Sequence, residues 1–365
     1  MHLYIHVPFC ARRCSYCDFA IAVRREVPSR EYVDLLLAEW HRCVADDDWV
    51  TASPLETIHL GGGTPSRLDP REIARLLDGV RTSSNVAPTA EIAIEANPDD
   101  VTPDVVRIWT AAGVNRVSLG AQSFDPQVLQ WMHRTHTAAQ VGRAVDALRS
   151  AGVDNVSLDL IFALPTELGR DWGADLDAAF ALEPAHLSLY GLTVERHTPL
   201  AHWIHRGEWT TVTDERYAGE YLVAAERFTR AGWDHYEVSN AARPGFRSAH
   251  NQAYWRRRPY LGVGPSAHSA HARLRRWNIR EWVAWRAVVA EGRSPVEDQE
   301  QLDAPQRLLE ERYLGLRTSD GVPLDLVTLP QRAAWIHSGW ATEDDTRLRL
   351  TAEGWLRLDS LIASL

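Results

Sequence analysis

Three cysteines, Cys10, Cys14 and Cys17, form a C-x-x-x-C-x-x-C pattern, and the one other cysteine, Cys43, lies alone further along. Thiols this dense point to metal ligation rather than a disulfide scaffold, which would spread pairs over a short secreted chain. A structural zinc site would need a fourth ligand, for which His6 or His2 would have to serve. Ordinary ferredoxin clusters take four cysteines. Three thiolates can hold three irons of a [4Fe–4S] cluster and leave the fourth with an open position for an exchangeable ligand.

Other residue types along the chain suit a small polar ligand. Gly61, Gly62 and Gly63 precede Thr64-Pro65, and a run without side chains lets the backbone approach a ligand, although three glycines also make a plain turn. Glu95, in Glu95-Ala-Asn-Pro98, could accept hydrogen bonds from ribose hydroxyls, or be a surface carboxylate. Gln122 follows an apolar run, Arg134 lies in Met132-His-Arg-Thr-His136, and Asp159 sits inside an otherwise apolar segment. A charge among apolar neighbours needs a partner, so Arg134 and Asp159 read as two ends of one polar network, with a packing role as the alternative.

These residues need a frame. Short β-rich runs at 3–7, 57–60, 91–96, 116–119, 156–161 and 186–189 alternate with helix candidates at 30–44, 70–80, 103–112, 138–151 and 172–182. Strand-then-helix repetition implies an α/β fold with a parallel sheet. Six such units favour a partial (β/α)6 barrel, which gathers ligand chemistry at the C-terminal strand ends, where the cysteine and glycine runs fall. The expected boundaries are a barrel at 1–232, a substrate-side cap rich in Tyr, Trp, His and Arg at 233–295, and a small, mainly helical C-terminal domain at 296–365, with a winged helix as one option.

Composition narrows the function. Hydrophobic residues at 45% and charged residues at 24% are ordinary for a globular protein. A net charge of -10 argues against a nucleic-acid partner, whose phosphates need clustered cations. No run is long and apolar enough for a membrane span, and the N-terminus lacks a secretion-signal pattern, so a cytoplasmic location is expected.

The cysteine motif after a first strand, with Gly61-Gly-Gly-Thr-Pro65 after the second, resembles the radical S-adenosylmethionine (SAM) superfamily. Further stretches resemble its coproporphyrinogen III oxidase-like branch, and within it the HemW subgroup of heme chaperones. They are Tyr4-Ile-His-Val-Pro-Phe-Cys10, Cys17-Asp-Phe19, Leu119-Gly-Ala-Gln-Ser-Phe-Asp125, His235-Tyr-Glu-Val-Ser-Asn240, His250-Asn251 with Tyr254-Trp255, and Tyr260-Leu-Gly-Val-Gly-Pro-Ser-Ala-His-Ser269.

The resemblance implies a [4Fe–4S] cluster on Cys10, Cys14 and Cys17, with the SAM amino and carboxylate groups on the open iron. SAM contacts are implied at Tyr4, Gly62, Gly63, Thr64, Glu95, Gln122, Arg134 and Asp159, less directly at Thr193 and His268, with Tyr16 near the adenine. Reductive cleavage of SAM would give a 5'-deoxyadenosyl radical. His250 is the implied heme contact, and the implied partners are heme, a heme-accepting protein and an electron donor such as a flavodoxin or ferredoxin.

Two departures separate the chain from the oxygen-independent oxidase of that branch. Phe19 stands where the oxidase has a further cysteine, and only nine residues precede Cys10. The expected function is therefore heme chaperoning, with oxidase or other radical SAM chemistry as the alternative. The chain also carries Leu164-Pro-Thr-Glu-Leu168 where its subgroup has Leu-Pro-Gly-Gln-Thr, and Ala242 where Phe is common.

Overall fold

A computed structural model describes residues 1–365. Six parallel strands occupy the centre of a 12-stranded sheet in chain order. They are β1 (His2–Val7), β2 (Leu55–Gly62), β3 (Val86–Ala96), β4 (Arg116–Gln122), β5 (Asn155–Phe162) and β6 (His186–Gly191). The crossovers run through α1 (Ser29–Asp46), α2 (Pro70–Ser83), α3 (Pro103–Ala111), α4 (Ala138–Ser150) and α5 (Trp172–Ala181), with α6 (Asp214–Arg230) after β6. Several helix starts are written locally. Asp69 and Thr102 accept hydrogen bonds from the first-turn backbone, and each is followed by a proline whose missing N–H costs nothing there.

The strands alternate strictly. On β1, Leu3, Ile5 and Val7 are fully buried, while His2, Tyr4 and His6 take the other face. On β4, Val117, Leu119 and Ala121 are fully buried, and Arg116, Ser118, Gly120 and Gln122 oppose them. Fully covered parallel strands are usually apolar on both faces. Here only the face under the helices is apolar, and the opposite face supplies a polar lining linked from strand to strand, as by Ser118 and Asp159.

The chain then extends both edges of this sheet. β8 (Asn240–Ala242) runs antiparallel beside β6, and β7 (Asp234–Glu237) pairs antiparallel with β8 at the outer edge. After α7 (Ala249–Trp255), β9 (Tyr260–Val263) pairs in parallel with β1 at the other edge. The meander β10 (His268–His271), β11 (Leu274–Asn278) and β12 (Val296–Gln301) continues outward, with α8 (Trp282–Ala290) before β12. Strands from the segment expected as a cap at 233–295 thus join the main sheet, as does the strand at 296–301. Strands of three to six residues dense in His, Arg and Tyr carry too little apolar alternation to be read as sheet. Beyond it, α9 (Ala304–Leu316) and α10 (Leu329–His337) pack with a three-stranded antiparallel sheet of β13 (Val322–Pro323), β14 (Ala341–Glu343) and β15 (Arg347–Leu350). No helix is long and apolar enough to cross a membrane.

Glu39 ties the returning edge to the barrel. Its buried carboxylate on α1 accepts from the Gly264 backbone N–H (2.9 Å), the Asn278 amide (2.6 Å) and the Trp285 indole (3.0 Å). Burial pushes its pKa up to about 7 against the pull of these three donors. An amide at this position must turn its NH2 toward a donor whichever way it flips. Glu39→Gln is therefore expected to destabilise the fold by about 1–3 kcal/mol, read as a lower urea midpoint at unchanged slope; an unchanged midpoint would show that the edge is held otherwise.

Candidate metal-cluster and cofactor site

The loop leaving β1 is pinned before it carries any chemistry. Phe9–Cys10 pairs in parallel with Ala22–Val23, the Cys17 N–H donates to the Cys14 carbonyl, and the Leu200 N–H donates to the Ser15 carbonyl at 2.9 Å. Cys10, Cys14 and Cys17 thereby border one cavity of about 430 Å³ at the C-terminal ends of the strands. The zinc alternative loses its fourth ligand, because both ring nitrogens of His6 are hydrogen-bonded, to Tyr4 and the Ala20 carbonyl, and His2 stands at the start of β1, the end opposite the cysteine loop. No three ligating side chains converge on a single-ion position. Three thiols spread round a shared cavity suit a polynuclear cluster, each sulfur on a different iron.

Burial pushes the Cys17 thiol up to about 11, opposed by a backbone hydrogen bond and reinforced by Cys14 and Cys10. Binding of iron must therefore displace protons, since only the thiolate ligates. Arg134 places Nη1 3.6 Å from Cys14 Sγ, and Thr64 places Oγ1 3.3 Å from Cys10 Sγ. When bound, the cluster would supply one-electron reducing power and an iron position for SAM.

Of the residues expected at SAM, Tyr16, Gly62, Gly63, Thr64, Glu95, Gln122, Arg134, Asp159 and Thr193 all line this cavity. The glycine run is more than a plain turn. A Cβ on Gly62, at φ +113°, would lie 2.7 Å from the His6 ring, and one on Gly63 would meet the Pro8 backbone at 2.9 Å. The Gly62 N–H donates to Glu95 Oε2 at 3.1 Å, while Glu95 Oε1 lies 3.1 Å from His59 Nε2. One glycine thus lets β1 and β2 close together and fixes the carboxylate rotamer.

Arg134 and Asp159 share the cavity without touching. Arg134 donates to Asn97 Oδ1 (2.6 Å) and the Gly120 carbonyl (2.8 Å), whereas Asp159 accepts from Ser118 (2.9 Å). Burial, reinforced by Glu95, pushes Asp159 up to about 6. The single network expected of this pair is two separate arms. Gln122 has φ +65° beside a register shift between Leu119 and Gln122, a bulge that re-aims the strand end into the cavity. Asn97 and Ser118 were not among the expected residues. The every-other-residue polar pattern Arg116-Ser118-Gly120-Gln122, and Asn97 two places after Glu95, would have pointed to both.

Three expected contacts lie elsewhere. Tyr4 and His268 line a neighbouring cavity. His250 is buried on α7, beside strand starts rather than strand ends. Its Nδ1 bonds Thr57 Oγ1 at 2.6 Å and its Nε2 bonds Tyr254 Oη at 2.8 Å. With both ring nitrogens engaged, it has no lone pair free for a heme iron in this conformation.

The fold and this cavity define a class. Residues 4–179 match the Radical SAM superfamily model. The structure superposes on coproporphyrinogen III oxidase (HemN) of Escherichia coli with a TM-score of 0.82 at 21% identity, covering 99% of this chain and 88% of that one. Among curated proteins, heme chaperone HemW of Mycobacterium tuberculosis is 36% identical over 370 residues, 100% of this chain and 94% of that protein. The Bacillus subtilis protein of the same name is 33% identical, covering 87% of this chain and 84% of its own. The chain belongs to the HemW family of radical SAM proteins.

Gly120 packs beneath the cofactor cavity, where a Cβ would stand 2.9 Å from the Gln122 side-chain nitrogen and 3.2 Å from Arg134 Nη2. Gly120→Ala should displace both and cost about 1–3 kcal/mol of SAM affinity by calorimetry. An unchanged affinity would remove Gln122 and Arg134 from the SAM contact set.

Proposed function

We propose that this chain binds heme and passes it to an acceptor protein, on a barrel that also carries a [4Fe–4S] cluster and SAM. The observation that carries the reading is similarity over 87% to 100% of the chain to proteins named heme chaperone HemW. Within the cluster cavity, Arg134 fixes Cys14 and the loop behind it, Glu95 and Asp159 offer acceptors for ribose hydroxyls, and Tyr16 offers a flat wall for adenine. Thr193 lines the same cavity. An electron donor of flavodoxin or ferredoxin type would reach the cluster over the partly exposed loop at Cys14 and Cys17. The proposed location is the cytoplasm.

The alternative reading is porphyrinogen oxidation. It is disfavoured by Phe19, which is 62% exposed at the cavity mouth where the resemblance sets a further cysteine in the oxidase. The test is anaerobic, on reconstituted protein: heme titration beside a coproporphyrinogen III decarboxylation assay with SAM and a reductant. Heme uptake without decarboxylation is expected, and turnover would overturn the chaperone reading.

Cys14→Ala should lose iron and acid-labile sulfide together with SAM cleavage while its heme titration stays unchanged. A four-iron content retained in that variant would refute the cluster assignment.

A further inference from the structure

A second cavity of about 530 Å³ lies between β1, the returning edge strands and α9. This is within the range of about 300–1,000 Å³ typical of ligand sites. Its lining is aromatic. Tyr4 comes from the polar face of β1, Tyr254 from α7 and Tyr260 from β9, with the rings of Tyr254 and Tyr260 packed edge-on at 4.6 Å. The wall nearest the barrel is shared with the cluster site. His6 lines the second cavity and packs against Gly62, which lines the first.

Two groups in this lining are chemically uncommitted. Arg257 and Arg275 are paired with Glu311 and Glu310 at 2.8 and 2.7 Å, whereas the exposed Arg258 beside them has no carboxylate partner. His6 and His250 have both ring nitrogens hydrogen-bonded. His268 does not; its ring stacks on Trp277 with centroids 5.9 Å apart. Partial burial is the one influence on its basicity and lowers it, which favours the neutral, iron-ligating imidazole.

We propose that this second cavity is the heme site, with His268 as iron ligand, the Tyr4, Tyr254 and Tyr260 rings against the macrocycle, and Arg258 pairing with a propionate. The inference rests on the heme-chaperone reading and goes beyond it by placing the cargo outside the SAM cavity, one side-chain layer from the cluster. A flat, anionic macrocycle with an iron at its centre needs aromatic faces, a cation at the rim and one free imidazole, and this lining supplies all three.

The test is an anaerobic heme titration of the reconstituted full chain as wild type, His268→Ala, His268→Tyr and Arg258→Glu, with cluster iron counted as the folding control. Expected are at least tenfold weaker binding with an altered heme spectrum for His268→Ala, and binding restored with a phenolate-type spectrum for His268→Tyr, because axial-ligand identity sets the electronic signature. Arg258→Glu should weaken binding about fivefold without changing the spectrum. Wild-type affinity and spectrum in both His268 variants, with cluster iron intact, would overturn the site while leaving heme chaperoning standing. Failure of the wild type to take up heme would overturn both.

Discussion

Everything in this molecule depends on one constraint: six parallel strands that must be apolar toward the helices and polar toward their common interior. Leu3, Ile5 and Val7, or Val117, Leu119 and Ala121, have no tolerance for a register slip, since a shift of one residue would put His6 or Ser118 under a helix. The polar face persists because its members satisfy one another. Thr57 links His2 to His250, and Ser157 meets His186, which in turn reaches Tyr236. Such groups left unpaired would each cost about 1–3 kcal/mol, so the lining works as a set.

That lining also places the chemistry. Because Gly62 and Gly63 leave room for the His6 ring and the Pro8 backbone where a side chain would collide, the cysteine loop, Glu95 and His6 fall into one compact region. The cluster cavity and the second cavity are then neighbours by construction. Their partition is His6, held by Tyr4 on one nitrogen and the Ala20 carbonyl on the other. Ala20 belongs to the loop that carries the cysteines, so the partition and the cluster loop are mechanically one piece.

The barrel was legible in the sequence because its signals were local. Each of the six expected strands overlaps an observed one, and β3 runs back to Val86 only because its first half pairs at a bulge beside Leu55. The cysteine spacing and the glycine run pointed to the cavity that both border, since both follow strands directly. What could not be read depended on long-range pairing. β9 joins β1 across more than two hundred residues, and this pairing turned an expected cap into sheet edge and carried His268 away from the SAM cavity. His250 shows the same limit. Its motif marks a histidine but says nothing of Thr57 and Tyr254 occupying both of its nitrogens.

The measurement that bears most directly on this account is a crystal structure of the anaerobically reconstituted chain loaded with SAM and heme. The account predicts a cubane on Cys10, Cys14 and Cys17 with SAM against Glu95 and Asp159, and heme behind the His6 partition. Heme seated in the cluster cavity in place of SAM, or a single metal ion on the three cysteines, would contradict it.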